Sequence, residues 1–263
     1  MISLDLGLWK SGAKIVYDTD AAAFFSAASI TDMTQKAAVN QLVLDLKSYS
    51  LWSKMVALYP FVGGSASTHK FNLKDPQDAN GSYRLTFNGG WTHSSNGAAP
   101  NGTNGYADTF LTPSVALSLN SGHASYYIRT DHTATKCVLF CQKTTGGYFG
   151  IFPDTGRLYP SINDANSVSI TPSATKGMFS SSRTASTQIL YGVNATTGSA
   201  TLASSTAADV VAPLGCYRYG ATLGGYATSQ LAFASLGLGL TTAELGNLNT
   251  AVVAFQTTLG RNV

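Results

Sequence analysis

The chain has 263 residues, enough for one large β-sandwich core, or for one core with a small docking segment. Asp, Glu, Lys and Arg make up only 11% of the residues, against roughly 25% in an average soluble domain. Ser, Thr, Asn and Gly supply the polarity instead, which suits packing against other copies or partners. The net charge of +3 comes from scattered residues without a basic run, which argues against nucleic acid as a partner.

The N-terminal region contains no recognisable export signal. Residues 1–20 alternate weakly between apolar and polar types and predict short strands or an extended arm. The opening MISLDLGLWKSG lacks an apolar core like that of a signal peptide, and no stretch approaches the roughly 20 apolar residues that span a bilayer. We therefore expect a soluble chain that does not insert into a membrane and is not exported by the ordinary secretory route.

Three cysteines occur, namely Cys137, Cys141 and Cys216. Cys137 and Cys141 lie in one predicted strand, about 13 Å apart at the rise of a strand, which is too far for a disulfide. The odd count and the lack of a CxxC motif favour buried reduced thiols and assembly in a reducing compartment. A disulfide between Cys216 and one of the others stays open as the alternative.

The segment from Ala21 to Phe61 has helical character. Thr31 is a plausible N-cap for a helix that continues through the apolar positions to Tyr49. A second short helix is predicted around Leu51–Leu58 and is stopped by Pro60. Its apolar stripe predicts docking against the sandwich or, as the alternative, a partner-binding face made by Trp52, Met55, Val56 and Tyr59.

From about Tyr83 the chain consists of short β-like runs separated by turn signals such as Asn88-Gly89-Gly90 and Asp154-Thr155-Gly156. Many short strands at short spacing favour a sandwich or jelly roll over a βαβ fold. The candidate strands are Tyr83–Phe87, Ala124–Thr130, Lys136–Gln142, Tyr148–Phe152, Ser167–Thr171, Gly177–Ser182, Gln188–Val193, Leu214–Tyr219 and Leu231–Leu236.

The last segment returns to a helical period over residues 241–259. Thr241 or Thr242 can cap this helix, Glu244 complements the helix dipole, and Gly260 is a candidate for the residue after its end. The pattern as a whole predicts a mainly β fold: a two-sheet jelly-roll sandwich with an N-terminal helical segment and a C-terminal helix. We divide it into an arm and helical docking segment (residues 1–62) and the sandwich with its helix (residues 63–263).

Two stretches resemble laminin-G and concanavalin A-like domains. The run QILYGVNATTGSATL (Gln188–Leu202) resembles a pair of their strands. The run Leu214–Leu240, which is followed directly by TTAEL, resembles their later strands. Two other strings, Phe87–Ser114 and Ala254–Val263, resemble structural proteins of tailed phages and prophages. The resemblance implies a virion protein, assembled in the host cytoplasm.

Catalysis finds little support in the sequence. Sandwich glycosidases need two carboxylates facing each other, but the chain has a single glutamate, Glu244, placed at a helix start. The histidines His69, His93, His123 and His132 form no HxH or HExxH motif, which argues against a zinc site. We therefore expect no enzyme activity and no cofactor, with an Asp pair assembled from distant segments as the remaining route to hydrolysis.

The loop from Asn88 to Asp108 is the best candidate for ligand binding. Sugar sites combine an aromatic platform with amides and carboxylates, and this loop holds both: Trp91, His93, Asn101, Asn104, Tyr106 and Asp108. The alternatives are a structural loop and a contact between subunits. Calcium stays open through the resemblance to laminin-G domains, with Asp108 and Asp131 nearest the relevant loops.

The leading functional expectation is a phage virion structural protein, such as a tail or head fibre, a spike or a decoration subunit. It would act by assembly and surface adhesion, bind other virion proteins through its N-terminal segment and form a dimer or trimer. The alternative is a carbohydrate-binding module that recognises a glycan of the host surface. A glycan depolymerase is a third hypothesis.

Overall fold

The structure is a computed structural model that describes residues 16–132, 135–144 and 146–263. Helices, a large sheet and a smaller sheet form successive layers of one body. The mainly β, two-sheet fold with a C-terminal helix confirms the predicted fold class. The predicted short strands or extended arm at residues 1–20 falls largely on 1–15, outside the described residues.

Three longer helices cover one face of the large sheet: α1 (Thr19–Ala27), α2 (Met33–Ser48) and α5 (Thr242–Thr258). Helix α5 confirms the predicted C-terminal helix, with Thr241 and Glu244 in a capping box. Helix α2 is capped by Asp32, one residue after the predicted Thr31. Helix α1 was not predicted as a separate element. The helical turns α3 (Ala66–His69) and α4 (Pro113–Ala116) lie in loops.

The strands are numbered in chain order: β1 Met55–Tyr59, β2 Thr86–Asn88, β3 Trp91–Ser94, β4 Gly97–Pro100, β5 Tyr106–Asp108, β6 Gly122–Ile128, β7 Leu139–Gln142, β8 Tyr148–Asp154, β9 Arg157–Asp164, β10 Gly177–Arg183, β11 Gln188–Val193, β12 Thr196–Thr201, β13 Pro213–Leu214, β14 Tyr217–Tyr219, β15 Thr222–Gly224 and β16 Leu231–Gly237. The β11–β12 hairpin lies where the Gln188–Leu202 run predicts paired strands.

The large sheet has the strand order β12-β11-β10-β6-β16-β4-β3, and β1 also pairs with β16. It is buried on both faces. Because neighbouring strand residues point to opposite faces, Tyr126 and Phe179 pack against the smaller sheet, whereas Tyr127 and Met178 pack against the helices. The central strands β6, β10 and β16 are therefore buried at every position and lack the alternating burial of a half-exposed strand.

The small sheet has the order β15-β14-β7-β8-β9, and a short three-stranded sheet, β13-β5-β2, completes the second layer. The inner face of the small sheet buries Leu139, Phe149, Ile151 and Ile162 in the sandwich core. Its other face is not covered by a helix among the described residues, and it carries the cleft described below.

Two predicted elements were wrong. The predicted helix around Leu51–Leu58 is a 3₁₀ turn (Trp52–Lys54) followed by β1, because pairing with β16 overrides the local helical spacing. Since β1 belongs to the large sheet, the predicted boundary at residue 62 does not separate the helical segment from the sandwich. The predicted strand Ser167–Thr171 is irregular and contributes one isolated bridge, between Ile170 and Leu158.

All three cysteines are free and buried, as expected for structural thiols. Burial raises the pKa of Cys216 to about 12, so this thiol is not a thiolate at neutral pH. No helix in the described part of the chain is long and apolar enough to cross a membrane.

Candidate functional site

The predicted glycan-binding loop forms β3, β4 and β5 together with their connections. Trp91 is only partly exposed, and its indole Nε1 donates to the carbonyl oxygens of Asn88 (3.2 Å) and Tyr106 (3.1 Å). The ring also packs against the sandwich core. Trp91 therefore ties the loop to the sandwich core, which agrees with the structural alternative given above.

The amides of this loop are occupied by the loop itself. The Asn101 side-chain oxygen accepts from the backbone amides of residues 103–105, and its Nδ2 donates to Asn104 at 2.8 Å. Asn104 also accepts from the amide of Gly90. These side chains hold the loop together, so a glycan would have to compete with hydrogen bonds that already exist.

Three other predicted residues are also engaged. Asp108 forms an ion pair with Arg218. The Nδ1 atoms of His93 and His69 are 3.0 Å apart, and His93 packs against Phe87. Tyr106 is partly buried, and its carbonyl oxygen accepts from Trp91. Glycan binding at this loop stays a prediction.

Histidine burial explains the protonation states in this region. Burial lowers the pKa of His69 to about 3, with nearby His93 and Arg261 acting in the same direction. The pKa of His93 is also lowered by burial. Both rings are therefore neutral at pH 7. Among the described residues, no group of three or more His, Cys, Asp or Glu side chains could hold a metal ion, and Asp108 and Asp131 are not brought into one cluster.

The predicted partner-docking stripe is divided by the strand geometry of β1. Met55 packs under the helices and Tyr59 in the sandwich core, both at most 2% exposed. Val56 packs against the sandwich core and Trp52 against the core under the helices, both partly buried, and Lys74 Nζ lies 4.5 Å from the centre of the Trp52 ring. This stripe is therefore part of the fold and does not form one partner-binding face.

A different group of side chains forms a cleft on the uncovered face of the small sheet. We call it the aromatic cleft. It has a volume of about 240 Å³ and is lined by Phe140, Gln142, Tyr148, Phe152, Asp154, Tyr159, Ser161 and Ser167. Seven of these residues come from β7, β8 and β9, and Ser167 comes from the segment that follows β9.

Strand register brings the aromatic rings together. Phe152 is paired with Tyr159 across β8 and β9, and Phe140 is paired with Gly150 across β7 and β8. The Phe140 ring lies 5.3 Å from that of Phe152 and 6.0 Å from that of Tyr148. These rings meet at steep or tilted angles, so they form a floor and walls rather than one flat stack.

Gly150 keeps the middle of this face open. Its φ of +122° is a conformation that L side chains rarely adopt, and an added Cβ would collide with the carbonyl oxygen of Leu139. It lies between Phe140 and Ser161 in the sheet register. The backbone therefore requires glycine here, and the neighbouring strand positions that line the cleft, Phe140 and Ser161, flank a position without a side chain.

The polar groups of the cleft are an amide, hydroxyls and a carboxylate. Ser161 is 1% exposed, and its hydroxyl lies close enough to Asp164 to lower the pKa of that carboxyl, although it makes no well-formed hydrogen bond to the described residues. Asp154 is partly exposed and accepts a hydrogen bond from the Thr155 hydroxyl at 2.9 Å. The cleft can thus stack an apolar face on its rings and offer hydrogen bonds at its edges.

A buried ion pair supports β9 beside the cleft. Arg183 and Asp164 are both fully buried and lie 3.4 Å apart. Arg183 Nε donates to the carbonyl oxygen of Ile162 (2.5 Å), and Nη1 donates to that of Leu202 (2.8 Å). This arginine therefore connects β9 of the small sheet to β10 of the large sheet. Burial raises the pKa of Asp164 to about 7, against the opposing effects of the Ile162 amide and Arg183.

Comparison with known proteins gives the fold and leaves the family open. No family model matches the chain, and its sequence matches no curated protein. Solved structures with the same fold include domain 4 of AbnA, a GH43 extracellular arabinanase from Geobacillus stearothermophilus, in complex with arabinotriose. That match has 12% identity and a TM-score of 0.50, and it covers 74% of this chain and 98% of the domain.

The binding domain of botulinum neurotoxin serotype D is similar at 7% identity with a TM-score of 0.53. The match covers 76% of this chain and 52% of that domain, so the chain spans about half its length. The class defined by the fold is thus a jelly-roll-like β-sandwich. At these identities the likeness shows the fold and nothing about ligands.

Proposed function

We propose that the chain is a non-catalytic carbohydrate-binding module whose ligand lies in the aromatic cleft. The observation that carries this proposal is the set of rings from Phe140, Tyr148, Phe152 and Tyr159 that line one cleft, with Gly150 between Phe140 and Ser161 in the sheet register. Sugar rings present apolar C–H faces that stack on aromatic side chains, and their hydroxyls match the hydroxyl, amide and carboxylate groups at the edge of this cleft.

The proposal excludes hydrolysis at this site on chemical grounds. Glycoside hydrolysis ordinarily uses two carboxyl groups across the scissile bond. Asp154 is the one carboxylate among the described residues that line the cleft, and the nearby Asp164 is buried in its pair with Arg183. Binding without turnover fits this composition. The two solved structures are a glycosidase domain with arabinotriose and a toxin binding domain, which offers support by analogy of fold.

The experiment is a glycan array followed by calorimetry on the hits. Tyr148→Ala and Tyr159→Ala each remove one wall of the cleft, and we expect each to weaken binding about tenfold, since an aromatic contact contributes up to about 1.5 kcal/mol beyond burial. Tyr49→Ala is the matched control, because this tyrosine is 36% exposed at the end of α2 and does not line the cleft. Equal affinities for all three variants would refute the proposal.

The same array tests the predicted loop. If folded Trp91→Ala loses glycan binding and the cleft variants keep it, the site is the loop at β3–β5 and the cleft is a structural feature. An array and polysaccharide panel without any bound glycan would count against carbohydrate binding as a whole.

A virion structural role stays a prediction that rests on the strings Phe87–Ser114 and Ala254–Val263. The same holds for the dimer or trimer, for assembly in the host cytoplasm and for partners within the particle. An adhesive virion protein and a glycan-binding module are compatible functions, since adhesion needs a ligand. A map of a particle that contains this chain would test the virion role directly.

A further inference from the structure

We infer that the aromatic cleft selects uncharged sugars and discriminates against acidic ones such as uronates. This inference rests on the proposed function and adds the chemical class of the ligand. Asp154 is the only charged side chain among the described residues that line the cleft, and neither Lys, Arg nor His is among them.

The nearest cation in the sheet register is already engaged. Arg157 is paired with Asp154 across the β8–β9 turn. Its Nε and Nη2 both donate to the Ser169 hydroxyl, at 2.9 and 2.6 Å. Recognition of a carboxylate ordinarily uses a free guanidinium fork or ammonium group. An acidic sugar in the cleft would therefore meet Asp154 without a compensating cation from the lining.

The hydrogen-bonding groups suit neutral hydroxyls instead. The Asp154 carboxylate only accepts, so it matches hydroxyl donors of a sugar. The buried Ser161 hydroxyl lines the cleft and, apart from its approach to Asp164, lacks a well-formed partner among the described residues, so a ligand hydroxyl would satisfy it. A sugar hydroxyl can donate to one of these groups and accept from the other. A carboxylate on the ligand can donate to neither.

The size of the cleft limits how much of the ligand it holds. Its volume of about 240 Å³ lies below the roughly 300–1,000 Å³ of sites that enclose a drug-sized ligand. The cleft therefore accommodates one sugar unit, with the remainder of an oligosaccharide outside it. Discrimination by charge should then act on the unit that is held against Asp154.

The test uses matched pairs of oligosaccharides that differ only by a glucose or a glucuronate unit, measured by array and calorimetry at low salt. We expect the neutral member to bind about tenfold more tightly, because the repulsion between two like charges a few ångströms apart, screened nearly as in water, is of this order. Asp154→Lys should narrow or reverse the preference, and Asp154→Glu should keep it. Asp75→Asn, a carboxylate outside the cleft lining, should leave it unchanged.

Thermal unfolding checks that each variant is folded, and the comparison of the matched sugars on the unaltered protein keeps the test valid if Asp154→Lys does not fold. Equal or tighter binding of the glucuronate member by the unaltered protein would overturn the inference while leaving carbohydrate binding intact. Tighter binding of tetramethylammonium than of any neutral sugar would also overturn it, since the rings and Asp154 would then form a cation site. Failure of every sugar to bind would refute the proposed function itself.

Discussion

The buried pair of Arg183 and Asp164 gives the strongest stability prediction. Arg183→Met keeps an aliphatic chain in the same space and removes the guanidinium. The Asp164 carboxylate then loses its partner at 3.4 Å, and the carbonyl oxygens of Ile162 and Leu202 lose their donors at 2.5 and 2.8 Å. The Ile162 amide still donates to Asp164 at 2.9 Å, but no described side chain other than Arg183 pairs a positive charge with this buried carboxylate.

The expected loss in the free energy of unfolding is about 3–5 kcal/mol, the cost of leaving one member of a buried ion pair unpaired. This is a large part of the roughly 5–15 kcal/mol that stabilises a typical domain. Urea unfolding at pH 7 measures it, provided that the slope against denaturant is unchanged. The double variant Arg183→Met with Asp164→Asn should recover part of the loss, because it removes the buried charge.

The loss in the free energy of unfolding caused by Arg183→Met should also depend on pH. Burial raises the pKa of Asp164 to about 7, so the folded chain takes up a proton that the unfolded chain releases near its ordinary value of 3.8. The contribution of this proton uptake to the free energy of unfolding is fully present below about pH 3.8. It is lost as the pH rises through 7. Arg183→Met should therefore cost less at pH 5 than at pH 8. A loss below about 1 kcal/mol, or one that does not change with pH, would refute the argument.

Three further predictions follow from single sites. Burial lowers the pKa of His123 to about 4, although the hydrogen bond between its Nδ1 and the carbonyl oxygen of Leu238 (2.7 Å) acts in the opposite direction. As the pH falls below about 6.5, the imidazole is therefore protonated in the unfolded chain before it is protonated in the folded one. His123→Gln should abolish up to about 3 kcal/mol of acid destabilisation between pH 6.5 and 4 in urea titrations; an unchanged pH dependence would contradict this. Thr241→Ala should cost about 1 kcal/mol in thermal unfolding through loss of the α5 cap, and no loss would show that the capping box is unimportant. Phe233→Ala, at a fully buried ring between β16 and the helices, should cost about 3–5 kcal/mol in urea, and under 1 kcal/mol would contradict the helix-to-sheet packing.

Much of the fold could be predicted because periodicity and end signals agree in several elements. The range Gln188–Val193 is reproduced by β11, and α5 falls within the predicted 241–259. The prediction failed at β1, whose apolar spacing fits a helix equally well over so few residues. Only long-range pairing with β16 decides between the two, and a single sequence does not reveal that pairing. Short strands such as β3 and β5 were missed for the same reason.

The site was harder to predict because polar loop residues can serve the loop as well as a ligand. Trp91, Asn101 and Asn104 have the chemistry of a sugar site, but in the fold they hydrogen-bond to their own loop. Composition reveals which groups are present and does not reveal which of them are already engaged. That distinction depends on backbone positions such as Gly90 and Tyr106, which become neighbours of these side chains only after folding.

The aromatic cleft could not be predicted because both faces of the small sheet are apolar in the sequence. In β7 and β8 the inward residues Leu139, Phe149 and Ile151 are as apolar as the outward Phe140 and Phe152, so the runs lack the alternation of a half-exposed strand. Such a run predicts burial on both faces. An aromatic-rich face that no described helix covers therefore looks like core in the sequence, and the register of β7, β8 and β9 is needed to show that its rings line one cleft.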